Sequence, residues 1–197
     1  MAETPTGWMT WTLYSFTNII YANREFVIRP AILEQVNCNM KENDEKFIER
    51  AIELSRRGMQ TMQGGPFGCV IVKDNQIVGE GCNQVTKTND PTAHAEVMAI
   101  RNACKKLKTY QLTDCDIYTS CEPCPMCLGA IYWARPRRVF YANTKQDAAA
   151  INFDDQFIYD EIEKKNAERH IEFIHIPHQQ AINVFNEWKT FDGKRIY

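Results

Sequence analysis

One histidine, one glutamate and two cysteines in this chain have the types and spacing to hold a metal ion and move a proton beside it. They lie in His94-Ala95-Glu96 and Pro123-Cys124-Pro125-Met126-Cys127. The Cys-x-x-Cys spacing lets both sulfurs reach one ion from a turn that enters a helix. A catalytic zinc takes three protein ligands and keeps its fourth position for water, whose pKa it lowers to about 7. His94, Cys124 and Cys127 would supply those ligands for one Zn2+ per chain, and Glu96 would be the base that moves protons. A structural zinc would use four protein ligands and leave Glu96 without a task. A dithiol redox module would use the two cysteines and leave both His94 and Glu96 unexplained.

Cys121-Glu122-Pro123-Cys124 repeats the Cys-x-x-Cys spacing, so spacing alone does not choose the pair. His-x-Glu followed by Pro-Cys-x-x-Cys is the signature of zinc deaminases, in which the glutamate is the general acid and base and not a ligand. That signature selects Cys124 and Cys127. Cys121 is then a small residue at a strand end.

The elements that must position these groups are read from periodicity. Asn43 is a plausible N-cap for a helix whose stripe is Phe47, Ile48, Ala51, Ile52, Leu54 and Met59. Gly64-Gly65-Pro66 breaks it, and residues 67–73 and 76–81 form a hairpin that turns at Asp74-Asn75. A polar loop over 82–90 leads to a helix opened by Pro91-Thr92 and running to Leu107, with His94 and Glu96 in its first turn. Strands follow over 115–120 and 138–142, flanking a helix over 123–134 that begins with both cysteines. Helices over 156–165 and 179–188 enclose a strand over 172–176. The alternation predicts an α/β domain of three layers, α-β-α, around a central mixed sheet of about five strands. Both halves of the metal site open helices, where the positive end of the helix dipole favours thiolates.

The 197 residues, 44% hydrophobic and 24% charged, suit one domain with a sizeable core. The formal net charge of −2 gives no basic field for a polyanion, so nucleic acid is not an expected partner. The run Arg135-Pro136-Arg137-Arg138 reads as a solvated turn between a helix and a strand. Several of the eight cysteines lie in apolar runs such as residues 68–72, as small hydrophobes of a reduced, cytoplasmic protein would. No secretory leader is expected. Residues 1–39, aromatic and threonine-rich, are too polar for a membrane span and read as an extension dispensable for chemistry.

From about Met40 to Tyr197 the chain resembles the cytidine deaminase superfamily, and within it the bacterial guanine deaminases. The resemblance is carried by GGPFGCVIV, NDPTAHAEVMAIR, YTSCEPCPMCLGAIYWARP, INFDDQFIYDEI and the terminal WKTFDGKRIY. It implies zinc on His94, Cys124 and Cys127, with zinc-bound hydroxide attacking C2 of guanine to give xanthine and ammonia while Glu96 shuttles the protons. It further implies that Asn83 and the backbone of Ala95 hold the nucleobase, that Phe67 lines the pocket, and that Asp155 and Tyr197 read the guanine edge. A homodimer that exchanges its C-terminal segments is implied as well. On the residues alone, Asp155 is one acid among Asp154, Asp160 and Glu161, and Tyr197 is a chain end. A tRNA adenosine deaminase shares both zinc motifs but needs a basic surface. Guanosine, cytidine or another aminated heterocycle would suit the same chemistry.

Overall fold

A computed structural model describes the backbone of residues 19–22, 25–28 and 30–196 and the side chains of residues 42–196. The expectations for Tyr197 and for most of residues 1–39 lie outside that range. The chain divides into two compact units, Met1–Glu42 and Asn43–Tyr197. In the first, β1 (Ile19–Ala22) and β2 (Glu25–Ile28) pair antiparallel, with Ile19 opposite Ile28. Helix α1 (Pro30–Gln60) begins there. It was expected to start at Asn43, but no glycine or proline interrupts residues 31–57 and proline suits a first helical position.

The second unit is built on a mixed sheet of four strands, β3 (Gly68–Lys73), β4 (Gln76–Cys82), β5 (Asp116–Cys121) and β6 (Arg138–Asn143). Their order is β4-β3-β5-β6, with β3 antiparallel to both neighbours and β5 parallel to β6. Asp74 and Asn75 have positive φ of 49° and 59°, the conformation a two-residue hairpin turn requires. The fifth strand expected over 172–176 does not form in this chain: that segment is solvent-exposed, has no regular secondary structure and joins no sheet.

Alternation along the strands divides the core into two layers. Cys69, Ile71 and Ile117 face one way, onto Ala95, Ala99 and Ala103 of α3 (Ala95–Leu107) and Ile131 and Ala134 of α4 (Pro125–Ala134). Val70, Val72 and Tyr118 face the other way, onto Phe47, Ile48 and Leu54 of α1. Helices on both faces make the three layers. Helix α3 lies unusually close to β4, because a Cβ at Gly81 would stand 2.3 Å from the Ala95 carbonyl oxygen. Only glycine admits that approach.

Smaller elements complete the unit. Helix α2 (Val85–Thr88) lies in the loop that sequence reads as irregular, and α5 (Lys145–Ala149) follows β6. Helices α6 (Gln156–Glu163) and α7 (Gln179–Thr190) lie within two residues of their expected bounds, with a short 3-10 turn at Asn166–Glu168 between them. The basic run after α4 is not simply solvated. Asp116 accepts hydrogen bonds from both Arg137 (3.0 and 2.7 Å) and Arg138 (3.2 and 2.7 Å). Among the described residues no helix is long and apolar enough to cross a membrane.

Candidate active site

Residues His94 and Cys124 occupy equivalent places, as the N-cap residues of α3 and α4. Pro91 and Thr92, expected to open α3, lie in a turn before it. Both caps have extended backbone, with ψ of 157° and 168°, and neither side chain caps its own helix. The side chains are thus directed away from their helices while Pro125 starts α4 with φ already set for it. One turn on, Cys127 comes to the same side. The Sγ atoms of Cys124 and Cys127 each lie 3.5 Å from His94 Nδ1, and the three donor atoms fall within 4.8 Å of one another. One soft nitrogen and two sulfurs converging at the positive ends of two helices fit a zinc ion. Cys121 is not part of the set, since its thiol donates to the Thr144 carbonyl at 3.5 Å.

Local electrostatics separate the thiols. The neighbouring Cys127 thiol and His94 together hold the Cys124 thiol well below its ordinary value despite burial. Interaction with Cys124 and burial push Cys127 up. His94 is raised by its bond to Cys124, against the effect of burial. Burial keeps Cys121 a thiol, pushed up to about 11.

Glu96, in the first turn of α3, is only 6% exposed. Its Oε1 accepts from Thr119 Oγ1 at 3.2 Å and its Oε2 from Cys127 Sγ at 3.3 Å. Burial lifts its carboxyl above the usual range, against the lowering effect of its hydrogen bonds and of His94. A carboxyl so placed, beside the three donor atoms, is positioned to hold a proton and pass it on.

His94, Glu96 and Cys124 line a cavity of about 290 Å3, together with Cys121, Glu122, Phe67, Asn83, Asp154 and Asp155. Asn83 is buried, and its Oδ1 accepts from the Val85 amide at 3.2 Å. Gly64 lies against that oxygen so closely that a Cβ there would stand 2.0 Å from it. Phe67 meets Phe153 edge to face, with ring centres 5.0 Å apart. Asp154 and Asp155, equivalent in sequence, differ in use. Asp154 Oδ1 accepts from the Gln156 amide at 2.9 Å, at the start of α6. Asp155, the N-cap residue of α6, makes no capping bond with its side chain, and burial together with the charge of Cys124 raises its pKa.

Two acids with open roles are engaged elsewhere. Asp160 accepts from Gln156, and Glu161 accepts from Lys164 and the His170 amide. Ala95 is fully buried in the core and is not among the residues that line the cavity. Sequence reasoning missed the cavity's Phe153, Phe157, Ile158 and Met126. The apolar positions around Asp155 were a usable signal for the first three.

Residues 41–143 match the cytidine and deoxycytidylate deaminase zinc-binding region. The guanine deaminase of Bacillus subtilis is 57% identical over 155 residues, which is 79% of this chain and 99% of that protein. Its crystal structure covers 78% of this chain and 98% of its own, with a TM-score of 0.76. A tRNA-specific adenosine deaminase of Haemophilus influenzae is 38% identical over 120 residues, 58% of this chain and 69% of that protein. A structure of guanine deaminase from Nitrosomonas europaea is 32% identical, covers 55% of this chain and 63% of its own, and has a TM-score of 0.53. With its donor set, fold and matched region in agreement, the chain belongs to the cytidine and deoxycytidylate deaminase zinc-binding family.

Proposed function

We propose that the protein hydrolyses guanine to xanthine and ammonia, using a zinc ion held by His94, Cys124 and Cys127. The observation that carries this reading is the roof of the cavity. That part, Phe153, Asp154, Asp155, Phe157 and Ile158, lines the same cavity as Glu96, and all five residues lie beyond residue 143, where the shared zinc-binding region ends. A match of 155 residues in a chain of 197 necessarily includes Phe153 to Asp155, so the likeness to the Bacillus enzyme extends into the roof.

Zinc bound at this site supplies water acidified to a pKa of about 7. Glu96 takes one proton from the water and delivers it to the ring, then takes the second from the hydroxyl now on the ring carbon and passes it to the amine, which departs as ammonia. Asn83 already uses Oδ1 for the Val85 amide, so its amide N–H groups are what it offers to a base acceptor. Asp155 accepts from a guanine N–H, and Phe67 with Phe153 flanks the ring plane. The zinc-loaded protein should consume guanine with stoichiometric xanthine and ammonia. Activity on adenosine in tRNA, or on guanosine or cytidine, with none on guanine would overturn the assignment.

We further infer a homodimer in which the C-terminal segments are exchanged. Ile174, Ile176 and Phe185 are 71%, 78% and 76% exposed, an unusual cost for a chain acting alone. The Ile196 carbonyl accepts from Tyr110 Oη at 3.5 Å, three residues past the far end of α3. That helix has 13 residues, so its two ends lie roughly 20 Å apart. In the exchanged dimer Tyr197 would serve the partner's cavity while Asp155 serves its own. Edge strand β6 leaves Tyr141 half exposed, and the partner's copy of the segment spanning residues 172–176 would supply the fifth strand there. Residues 1–39 are dispensable in this reading, which a protein starting at Met40 with full activity would support. The thiols, which must stay reduced to hold metal, suit the cytoplasm.

A further inference from the structure

Three hydrogen bonds join the dipeptide before the second metal motif to the start of α5. The Glu122 amide donates to the Asn143 carbonyl at 2.8 Å. The Cys121 thiol donates to the Thr144 carbonyl at 3.5 Å. The Lys145 amide donates to Glu122 Oε2 at 3.1 Å. The last bond matters for helix formation, because the first N–H groups of a helix have no partner within it. In α5, Thr144 Oγ1 takes the Asp147 amide and Asp147 returns a bond to the Thr144 amide. Glu122 takes the Lys145 amide, which that capping box leaves over.

What α5 carries explains why it should be held. At its far end the Ala148 carbonyl accepts from the Phe153 amide at 3.0 Å. Asn152, between them, has the left-handed φ of 67° that turns the chain back. The turn sets Phe153 against Phe67 and brings Asp155 to the cavity. A five-residue helix has little stability of its own, so its placement depends on such tethers.

We propose that Cys121 and Glu122 form a clamp that fixes the roof of the cavity to the metal-binding loop, with Glu122 a positioning residue for Phe153 and Asp155. This gives the second Cys-x-x-Cys cysteine a role without metal. Its kinetic readout rests on the guanine reading; its structural readout does not.

Glu122→Ala removes the acceptor and Glu122→Gln keeps one. In the zinc-loaded protein, Glu122→Ala should raise KM for guanine about fivefold to tenfold, with kcat within about twofold and zinc still at one per chain. Glu122→Gln should stay within about twofold of the parent in both constants. A fall in Glu122→Gln equal to that in Glu122→Ala would mean that the charge itself touches substrate and would overturn the clamp. An unchanged KM in Glu122→Ala would overturn it too.

Should Glu122→Ala fail to fold, the other partner tests the same bond. Lys145→Pro removes the amide at a position where proline is tolerated, and it should raise KM above that of Lys145→Ala, which keeps the amide. Equal KM values would refute the proposal. If the parent protein does not act on guanine, hydrogen exchange still decides. Amides 145–153 must exchange faster in Glu122→Ala and not in Glu122→Gln, and equal exchange in parent and Glu122→Ala would sink the clamp.

Discussion

Between Asn43 and Asn143 the apolar side chains of the central strands are covered: Val70, Ile71 and Ile117 have no exposed surface. Among the described residues beyond Thr144 no side chain is buried, and Phe157, Phe173, Phe185 and Trp188 are between 46% and 76% exposed. The first region completes its own core and metal site. The second has enough apolar residues for a core but little to pack them on. The division matches the chemistry: the region that assembles the metal site matches a family-wide zinc-binding region, and the region that lines the rest of the cavity leaves its large apolar side chains exposed. In the proposed exchanged dimer, catalytic machinery would be self-contained in one chain and substrate recognition would not.

The strongest way to break this comparison is to disable the first region without touching the second. Glu96→Ala should keep zinc and the oligomeric state but lose on the order of 10² to 10⁴ in turnover. The buried carboxyl has only Thr119 and Cys127 as side-chain partners, so its removal opens a small void without leaving a charge behind. Turnover at the parent rate, measured by ammonia release with metal content checked in parallel, would remove Glu96 from the mechanism.

Sequence made the first region legible because its signals are local. His-Ala-Glu and Pro-Cys-x-x-Cys each span a few residues at a helix start, and the strands that support them, β3 and β5, are short runs buried along almost their whole length. The same reasoning could not rank Asp155 above Asp154, Asp160 or Glu161. Their difference lies in which carboxylate a neighbouring amide or cation uses up, a tertiary fact. The fifth strand failed for a related reason: residues 172–176 have β propensity, but a strand needs an edge, and β6 of the same chain does not receive it. The start of α1 was misplaced because Asn43 looks like a cap, whereas the residues before it are equally fit for helix.

The second region can be tested by its appetite for a partner. Phe185→Asp puts a charge on a residue 76% exposed in the single chain, where it would be almost harmless. In an exchanged dimer the same position is covered, and an unpaired carboxylate there costs several kcal/mol. The variant should shift from dimer to monomer in light scattering and raise KM while retaining zinc. A variant still dimeric at the parent concentration would show that α7 packs on nothing, and the exchange would have to be abandoned.

The smallest effect sharpens the comparison from the opposite end of the sheet. Asp116 lies beside Arg138 in the β5–β6 register, five residues from Cys121, and is 4% exposed. Burial pushes its carboxyl up, but the bonds from Arg137 and Arg138 outweigh this and hold it below its ordinary value. A depressed pKa means that the folded state favours the carboxylate, so the stabilisation is present above the unfolded value of about 3.9. It is lost as pH falls through the still lower folded value. Asp116→Asn should therefore cost about 1 kcal/mol near neutral pH, because both arginines remain solvated. The gap between parent and variant in denaturant midpoint should close as pH drops from about 5 towards 3. Guanine kinetics at neutral pH should not change, because the strand ends that hold Cys121 and Asn143 are fixed by separate bonds. A kinetic defect in Asp116→Asn would mean that the first region transmits strain along its strands, and its independence from the site end would be lost.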